Sequence, residues 1–329
     1  MMPFSWDSWP RPIIALAPLA GWTDSAYRQT VKKLTDGIVC FSELTSVDAL
    51  HHKSNGTYRM LDWDPSEFPL IMQLFGKDAP FFVEAGKILE DMGVAGIDIN
   101  MGCPTCKITS NECGSALLRN PQLAAEIVYH LSRAVSVPVS VKTRLGYECY
   151  DEKTFLNFCT GVQDAGAKLL SLHGRTRKQA FSGVADWEPI YLAKSVLKIP
   201  IIGNGDIKTV DDVFGRLKTL DGVMIGRATL GDPWLIAEIV AAIRGETYVR
   251  PKDIWEKLPV IREHFDLAVE IMGDRHGMNE MRKHLAAYIK GFFGASDHVH
   301  RIMQARSPAE VIAIFDAIEA SREQLLARA

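Results

Sequence analysis

IPIIGNGDIKTVDDVFGRLKTLDGVMIG, residues 199–226, contains a complete strand–helix–strand unit. Two short apolar runs, IPIIGN (199–204) and GVMIG (222–226), flank a helical segment that opens with Thr209, a good N-cap residue. Strands that are apolar throughout and are separated by an amphipathic helix are typical of a parallel sheet covered on both faces. The stretch therefore predicts two parallel strands joined by a helix.

The same alternation extends upstream over most of the chain. Further strand-like runs are IIALA (13–17), IVCFS (38–42), LIMQLF (70–75), GIDIN (96–100), VPVSVKT (137–143) and LLSLH (169–173). Asp78, Asn120 and Asp151 open helical segments between them with N-caps. Eight such units in about 245 residues favour an α/β fold of the (β/α)8 TIM-barrel type. An open doubly wound sheet is the alternative, although no G-x-G-x-x-G follows the first run.

The pattern changes after RGETYVRP (244–251), because the chain beyond Trp255 has helical periodicity and no strand-like run. We therefore predict a barrel domain over residues 1–247 and a small all-helical domain over residues 248–329.

Composition limits the class of protein. The 329 residues carry a formal net charge of -3, so any nucleic-acid site must be a local basic patch. No run approaches the roughly 18 to 20 apolar residues of a membrane span. The opening MMPFSWDSWPRP does not resemble a signal peptide, and six scattered cysteines are typical of reduced thiols. We expect a soluble, cytoplasmic protein without a membrane partner.

Polar or glycine-bearing clusters follow every predicted strand. They are Pro18-Leu19-Ala20-Gly21, Ser42-Glu43, Gln73, Asn100-Met101-Gly102-Cys103-Pro104, Lys142 with Arg144, His173-Gly174-Arg175-Thr176, Asn204-Gly205-Asp206 and Gly226-Arg227. In a barrel the carboxyl ends of the strands converge, so these clusters predict one ring of residues around a pocket.

The last two clusters indicate a phosphate site. Gly205 and Gly226 allow backbone amides to approach a ligand, and Arg227 adds a cation; tight turns are the alternative. Lys142 is costly to bury unless it faces an anion or an electron-rich ring, or serves in a structural salt bridge. A phosphate anchor together with a Lys and a Gln at strand ends suits flavin mononucleotide (FMN).

The chain resembles the tRNA-dihydrouridine synthases, most closely the bacterial B-type branch. The resemblance rests on APLAGWTDSAYR, SELTS, MQLFG, DINMGCP, GSALL, VKTRLG, LHGRTR, GNGDI, MIGRA and RKHLAAYIKGF, which follow one another in the family's order and spacing over roughly residues 13–305. It implies an FMN-dependent barrel enzyme that reduces the C5=C6 bond of a uridine in folded RNA, with NADPH (or NADH) as the reductant.

The resemblance also implies roles for particular residues. Cys103 matches the proton donor, Asn100 lies beside the target base, and Arg175 and Arg177 help to hold the uridine or neighbouring phosphates. The implied flavin-binding residues are Pro18, Leu19, Ala20, Gln73, Lys142, His173, Asn204, Gly205, Asp206, Gly226 and Arg227.

Two departures from the family pattern stand out. Leu19 occupies a position where the family usually has Met. The loop CPTCKITSNECGS keeps only Lys107 where relatives carry several basic residues, and Thr109 replaces a usual Asn. The resemblance therefore predicts that some phosphate contacts of this loop are missing or lie elsewhere.

The cysteine-rich stretch INMGCPTCKITSNECGSALL (99–118) also permits other interpretations. A zinc or iron–sulfur site needs four ligands, and Cys103-x2-Cys106 with a separate Cys113 supplies three. A Cys-x-x-Cys redox pair is a further alternative. We expect one working thiol, Cys103, with Cys106 and Cys113 as packed thiols and no bound metal.

The helical tail predicts the RNA partner. Residues 281–306 carry Arg282, Lys283, Lys290, Arg301 and Arg306 against Asp297, with three histidines and Tyr288 among them. Such a patch suits an RNA backbone, and we assign Arg282 and Lys283 to the substrate; a solvated helical face is the alternative.

Three other functions stay open. They are the same reaction on ribosomal RNA, a dihydroorotate-type flavin dehydrogenase of a small molecule, and a non-catalytic RNA-binding protein. No oligomeric state follows from the sequence.

Overall fold

Eight parallel strands close into a barrel in the computed structural model, which describes residues 4–291 and 294–326. The strands are β1 (Ile13–Leu16), β2 (Ile38–Ser46), β3 (Leu70–Phe75), β4 (Gly96–Met101), β5 (Val139–Arg144), β6 (Leu170–His173), β7 (Ile201–Asn204) and β8 (Gly222–Ile225). Each strand pairs with the next, and β8 returns to β1, where Ile14 lies opposite Val223. The predicted barrel is confirmed, and the open-sheet alternative is wrong.

Helices connect the strands of this barrel, and a further helix follows the last strand. They are α1 (Ser25–Leu34), α2 (Val47–His51), α3 (Asn55–Arg59), α4 (Ala79–Asp91), α5 (Cys106–Thr109), α6 (Pro121–Ala134), α7 (Glu152–Ala165), α8 (Glu188–Val196), α9 (Val210–Leu217) and α10 (Trp234–Arg244). The predicted N-caps Asp78, Asn120, Asp151 and Thr209 all accept a backbone N–H of the first helical turn. These caps satisfy donors that the helix itself leaves unpaired.

Apolar residues at every second position pack the strands together. Ile13, Ala15 and Ala17 share one cluster with residues of β2, β3, β7 and β8, and Trp6 joins it with 1% of its surface exposed. Because side chains alternate across a strand, this period of two places these residues on one face of the closed sheet.

Four helices follow the barrel: α11 (Ile254–Met272), α12 (Asp274–Ile289), α13 (Ala295–Gln304) and α14 (Pro308–Leu326). They share an apolar core that includes Leu258, Phe265, Leu285 and Phe315. The prediction of an all-helical segment is confirmed for the described part of the chain. Among residues 4–291 and 294–326, no helix combines the length and apolar character needed to cross a membrane.

The chain divides into two compact units that are not continuous in sequence. The first unit contains residues 1–20 and 37–226, and the second contains residues 21–36 and 227–329. Helices α1 and α10 belong to the second unit because Ala26 and Trp234 pack in the core of the tail helices. The boundary predicted at residue 248 lies after helix α10, whereas the second unit already includes the chain from Arg227 onward together with residues 21–36. The flavin-binding and RNA-binding roles of the two domains stay predictions.

Two buried histidines lie together in the second unit. The rings of His264 and His284 are 4.9 Å apart, centroid to centroid, and both contact the ring of Tyr27. His264 Nδ1 is 3.0 Å from the hydroxyl oxygen of Tyr288, whereas neither ring nitrogen of His284 has a hydrogen-bond partner among the residues that the structure describes. Burial lowers the pKa of His264 to about 3 and also lowers the pKa of His284, with His264 and Lys283 contributing.

We expect these two rings to make the protein sensitive to mild acid. The ordinary pKa of histidine, about 6.5, applies to the unfolded chain, so the unfolded state takes up protons first as the pH falls. The free energy of unfolding is therefore unaffected by the titration of these rings above pH ~6.5. Below that pH it decreases by about 1.4 kcal/mol per pH unit for each ring that stays neutral in the folded state. The thermal unfolding midpoint should therefore fall less steeply between about pH 7.5 and pH 5 in His284→Phe than in the parent. Equal slopes would contradict this explanation.

Candidate active site

The strand register brings the predicted polar residues together at the carboxyl end of the barrel. Asn100 on β4 lies opposite Lys142 on β5, and His173 on β6 lies opposite Asn204 on β7. Neighbouring strands are about 4.8 Å apart, so these side chains leave the sheet side by side. The ring of residues expected from the sequence is present for these four positions.

A buried carboxylate organises the polar residues of β3 and β4. Asp98 has no exposed surface; its Oδ1 accepts the Ser140 hydroxyl at 2.6 Å and its Oδ2 accepts the Gln73 amide at 2.7 Å. Burial raises the pKa of Asp98 to about 6, against the opposing effects of these two bonds and of Lys142. The sequence analysis missed Asp98; an acidic residue in the middle of the apolar run GIDIN was the available signal.

Asn100 links this network to Cys103. Its Nδ2 donates to Gln73 Oε1 at 2.8 Å, and its Oδ1 accepts the backbone N–H groups of Gly102 at 3.1 Å and Cys103 at 2.9 Å. Ser115 fixes the other side of the turn, since its N–H and hydroxyl both donate to the Cys103 carbonyl, at 3.2 and 2.8 Å. The thiol of Cys103 is partly exposed and lies 3.3 Å from Thr105 Oγ1. Cys103 is thus held by its backbone while its side chain stays accessible.

Of the other two cysteines in this stretch, Cys113 is a packed thiol. It is 4% exposed and donates to the Asn111 carbonyl, and burial, followed by the charge of Asp48, raises its pKa to about 11. The prediction for Cys113 is confirmed. Cys106 begins α5, but its side chain and that of Lys107 lie outside the described residues. No group of three or more candidate metal ligands occurs among the side chains that are described.

Lys142 presents a cation at the end of β5. Its Nζ donates to Asn204 Oδ1 at 3.2 Å, and Asn204 is itself oriented by a 2.8 Å bond from its Nδ2 to the Met224 carbonyl. Within the described part of the chain, Lys142 forms no salt bridge, so the structural salt-bridge alternative finds no support. Burial, with a smaller effect of Arg144, lowers the pKa of Lys142 to about 8, and Asp98 opposes the shift.

The loops after β6 and β7 are tied together by Arg175 and Asp206. Arg175 is 2% exposed and donates to the carbonyls of Ser182 and Gly183, at 3.0 and 2.6 Å, and to Asp206 Oδ2 at 2.6 Å. The Ala185 N–H also donates to Asp206 Oδ2, at 2.8 Å. These contacts stabilise the loops, and the ligand roles of the two residues stay predictions.

The glycines expected to line a phosphate site differ from each other. Gly205 has φ +132°, and a Cβ there would lie 2.7 Å from the Ala185 Cβ, so only glycine fits. A Cβ at Gly226 would lie 3.5 Å from the Ala17 Cβ, which leaves room beside its backbone. Near β1, Pro18 and Leu19 are partly buried and Ala20 is exposed.

Arg144 is a further buried residue at this end of the barrel. Its Nε donates to the Gly102 carbonyl at 2.7 Å, and its Nη1 donates to the carbonyls of Thr176 and Ala180, at 3.0 and 2.9 Å. It thereby connects the turn before Cys103 with the loop after β6. The sequence placed Arg144 at a strand end but assigned it no role.

Comparison with known proteins identifies the family. The dihydrouridine synthase (Dus) family model matches residues 15–325. The chain belongs to the dihydrouridine synthase family.

Named relatives agree with this assignment. A probable tRNA-dihydrouridine synthase 1 of Synechocystis sp. is 39% identical over 296 residues, which cover 89% of this chain and 82% of that protein. The tRNA-dihydrouridine synthase B of Xanthomonas campestris pv. campestris is 33% identical, over 93% of this chain and 94% of that protein. The family resemblance seen in the sequence is therefore confirmed.

Distant solved structures share the barrel. A 2-naphthoyl-CoA reductase in complex with 2-naphthoyl-CoA has a TM-score of 0.56 at 10% identity, covering 71% of this chain and 50% of that chain. Histamine dehydrogenase from Rhizobium sp. 4-9 has a TM-score of 0.54 at 15% identity, covering 77% of this chain and 48% of that chain. At these identities the likeness shows the fold alone.

Three further residues that were predicted to bind the cofactor or the RNA, Arg227, Arg282 and Lys283, lie in the second unit of this dihydrouridine synthase family member. Arg227 is exposed at the start of a short 3-10 helix, Arg227–Thr229. Arg282 donates to the Ala305 carbonyl at 2.8 Å, and Lys283 pairs with Glu280. The side chains of Arg282 and Lys283 are thus both engaged in contacts within the protein.

The expected composition of the basic patch is wrong at two positions. His284 and Tyr288 are 0% and 2% exposed and belong to the interior of the second unit. With Met281 and Leu285 they lie at the three- and four-residue spacings of one buried helix face. Lys290, Arg301 and Arg306 remain exposed.

We expect Arg144→Met to loosen the loop of residues 176–184, because the carbonyls of Thr176 and Ala180 lose their donor. Loss of about 1.4 kcal/mol of local stability would raise tryptic cleavage after Arg177 or Lys178 in the native protein about tenfold. Arg133→Gln is the matched control, since Arg133 also donates to two carbonyls, those of Tyr129 in its own helix α6 and of Ala165 at the end of α7, both outside the loop of residues 176–184. Equal cleavage rates at this loop in Arg144→Met and the parent would show that Arg144 does not hold it.

Proposed function

We propose that this protein reduces a uridine of transfer RNA to 5,6-dihydrouridine in the cytoplasm, with FMN as cofactor and NADPH, or NADH, as reductant. The family match and the names of the relatives support the reaction. One arrangement supports the assignment of this reaction to particular residues. Asn100 accepts the Cys103 N–H at 2.9 Å and lies opposite Lys142 on the next strand. The Cys103 thiol, which we propose as the proton donor, and the Lys142 cation therefore follow adjacent strands at the barrel mouth.

The residues present fit a flavin. Lys142 is a partly buried cation without a salt bridge among the described residues, Gly205 brings backbone close to the strand ends, and Gly226 has space beside it. Lys142, Asn204 and Gln73 would hold the ring, and the loops after β7 and β8 would hold the phosphate. When bound, the flavin supplies the hydride that is added to C6 of the uracil.

Cys103 supplies the proton that the product gains at C5. A thiol is a weak acid and can donate its proton to carbon as negative charge develops there. The bonds from Asn100 and Ser115 hold the backbone of Cys103 from both sides, so the reach of its Sγ is set before substrate arrives. Asn100 is positioned in turn by Gln73 and Asp98.

The helical tail is proposed to bind RNA through its exposed cations. Lys290, Arg301 and Arg306 are available for phosphates, and Arg301 and Arg306 border the same surface groove. Arg282 and Lys283 support this region through their internal contacts.

The reaction is tested by mass spectrometry of nucleosides. Unmodified transfer RNA and ribosomal RNA are incubated separately with the purified protein, FMN and NADPH, and dihydrouridine is measured. We expect dihydrouridine in transfer RNA; a product found only in ribosomal RNA, or in neither, would refute the proposal.

Cys103→Ala should slow uridine reduction by about 10²- to 10⁴-fold, because the transition state loses its proton donor. Bound flavin and NADPH oxidation with dioxygen as acceptor should persist, since neither requires that proton. Cys113→Ala and Cys106→Ala are the matched controls and should keep most of the activity. Equal losses in all three variants would remove the special role of Cys103.

The charge of Lys142 predicts a pH dependence of flavin binding. Because its pKa is lowered to about 8, Lys142 is a cation below that pH and becomes neutral as the pH rises through it. The affinity of the flavin-free protein for FMN, followed by flavin fluorescence, should be constant near pH 7 and fall progressively above about pH 8. Lys142→Met should bind FMN more weakly and show no such decline. A decline of the same size in that variant would assign the titration to another group.

A further inference from the structure

Two arginines and one tyrosine form a cluster on three successive loops of the barrel. The guanidinium carbons of Arg119 and Arg177 lie over the ring of Tyr147, at 4.6 and 5.0 Å from its centroid. Arg119 ends the 3-10 helix Gly114–Arg119 after β4, Tyr147 follows β5, and Arg177 follows β6. We call this group the Arg119–Tyr147–Arg177 cluster.

Backbone hydrogen bonds fix the geometry of the cluster. The Arg177 N–H donates to the Gly146 carbonyl at 2.8 Å, and the Lys178 N–H donates to the Tyr147 carbonyl at 2.9 Å. These two hydrogen bonds join the loop after β5 to the loop after β6, and they hold the ring of Tyr147 against Arg177.

The same cluster is connected to the thiol of the proposed reaction. Ser115, in the helix that ends at Arg119, donates two hydrogen bonds to the Cys103 carbonyl. Arg144, at the end of β5, donates to the Gly102 carbonyl and to the loop after β6. The cluster and Cys103 therefore lie on adjoining loops at one end of the barrel.

The carboxylate that responds to the charge of Arg119 is Glu112, whose pKa is lowered mainly by Lys77 and to a smaller extent by Arg119, and Glu112 pairs with Lys77. Among the described residues neither Arg119 nor Arg177 forms a salt bridge, and the Nε of Arg177 is buried without an acceptor. Glu148 is the acidic neighbour of Tyr147 in sequence, and it pairs with Lys178 at 3.6 Å. Both guanidinium groups are close to one ring centroid, so they lie within about 10 Å of each other, roughly the Debye length at 0.1 M salt. Two like charges held this close favour an anionic partner.

We propose that the Arg119–Tyr147–Arg177 cluster binds the sugar–phosphate backbone of the RNA strand that delivers the target uridine to Cys103. This inference rests on the proposed function and adds Arg119 and Tyr147 to its substrate-binding residues. Tyr147 positions both guanidinium groups through cation–π contacts, and the guanidinium groups contact phosphate oxygens.

RNA fits the cluster better than other phosphate carriers for three reasons. Arg119 is exposed, and Tyr147 and Arg177 are partly exposed, so the cluster faces solvent on the rim rather than a closed pocket. Guanidinium groups combined with an aromatic ring are typical of sites for single-stranded nucleic acid. A strand whose uridine reaches Cys103 must also carry its neighbouring phosphates past the adjoining loops.

The proposal is tested by tRNA binding and turnover in full-length variants. Arg119→Gln removes one cation, Tyr147→Leu removes the ring, and Tyr147→Phe keeps the ring as the conservative variant. Arg133→Gln is the matched control, since Arg133 lies 3.5 Å over the ring of Tyr129 at the end of α6, on the opposite side of the barrel from the strand carboxyl ends. Binding of an unmodified tRNA transcript is measured at several salt concentrations, together with kcat and the KM values for tRNA and NADPH.

Arg119→Gln and Tyr147→Leu should each raise Kd and KM for tRNA about five- to tenfold, with little change in kcat or in KM for NADPH. The slope of log K against log salt should fall by about 0.7 for the lost cation in Arg119→Gln. Tyr147→Phe and Arg133→Gln should match the parent. Thermal unfolding of each variant confirms that it is folded.

Two results would overturn the proposal. Unchanged tRNA affinity in both Arg119→Gln and Tyr147→Leu would leave the cluster with a structural role. A rise in KM for NADPH alone would assign its cations to the phosphates of the dinucleotide. If the parent binds tRNA but forms no dihydrouridine, the proposed reaction fails, while the Kd comparison still decides whether the cluster contacts RNA.

Discussion

The buried carboxylate of Asp98 is the group on which the arrangement of the strand ends depends. A polar group without exposed surface is stable only when its hydrogen bonds are complete, and Asp98 obtains them from Ser140 and Gln73. The bond to Asp98 fixes which end of the Gln73 amide faces Asn100, and the Asn100 carbonyl then faces the Cys103 N–H. One buried charge in the barrel interior thus determines where a thiol stands at its mouth.

Two arginines at the strand ends extend this order into the loops. Arg144 and Arg175 are both almost fully buried, and each donates to at least two backbone carbonyls of the loop after β6. A planar guanidinium has several donors in a fixed geometry and can therefore hold a loop that lacks regular secondary structure. Arg177 of the proposed RNA-binding cluster lies in the loop that these two residues stabilise.

Helix α12 of the second unit has one buried face and one partly exposed face. Along α12, Met281, His284, Leu285 and Tyr288 face the interior, while Arg282 and Lys283 lie on the partly exposed side. The helical spacing of these residues was readable in the sequence, but the polar character of His284 and Tyr288 suggested a surface. Their aromatic rings fill a core beside Tyr27 and His264, and the cost is a pair of histidines that are kept neutral.

The sequence by itself determined the barrel, the helix caps and the strand that ends beside Cys103. These features depend on apolar period and on capping residues, which are encoded within a few neighbouring positions. The tertiary structure alone decided that Asp98 supports Asn100 through Gln73 and that Arg144 donates to backbone carbonyls. It also decided that α1 packs with the tail helices and that Arg119 and Arg177 both contact the ring of Tyr147. Each of these is a contact between segments far apart in the chain. Such contacts depend on which loops barrel closure brings together, and this is a property of the whole sheet rather than of any local stretch.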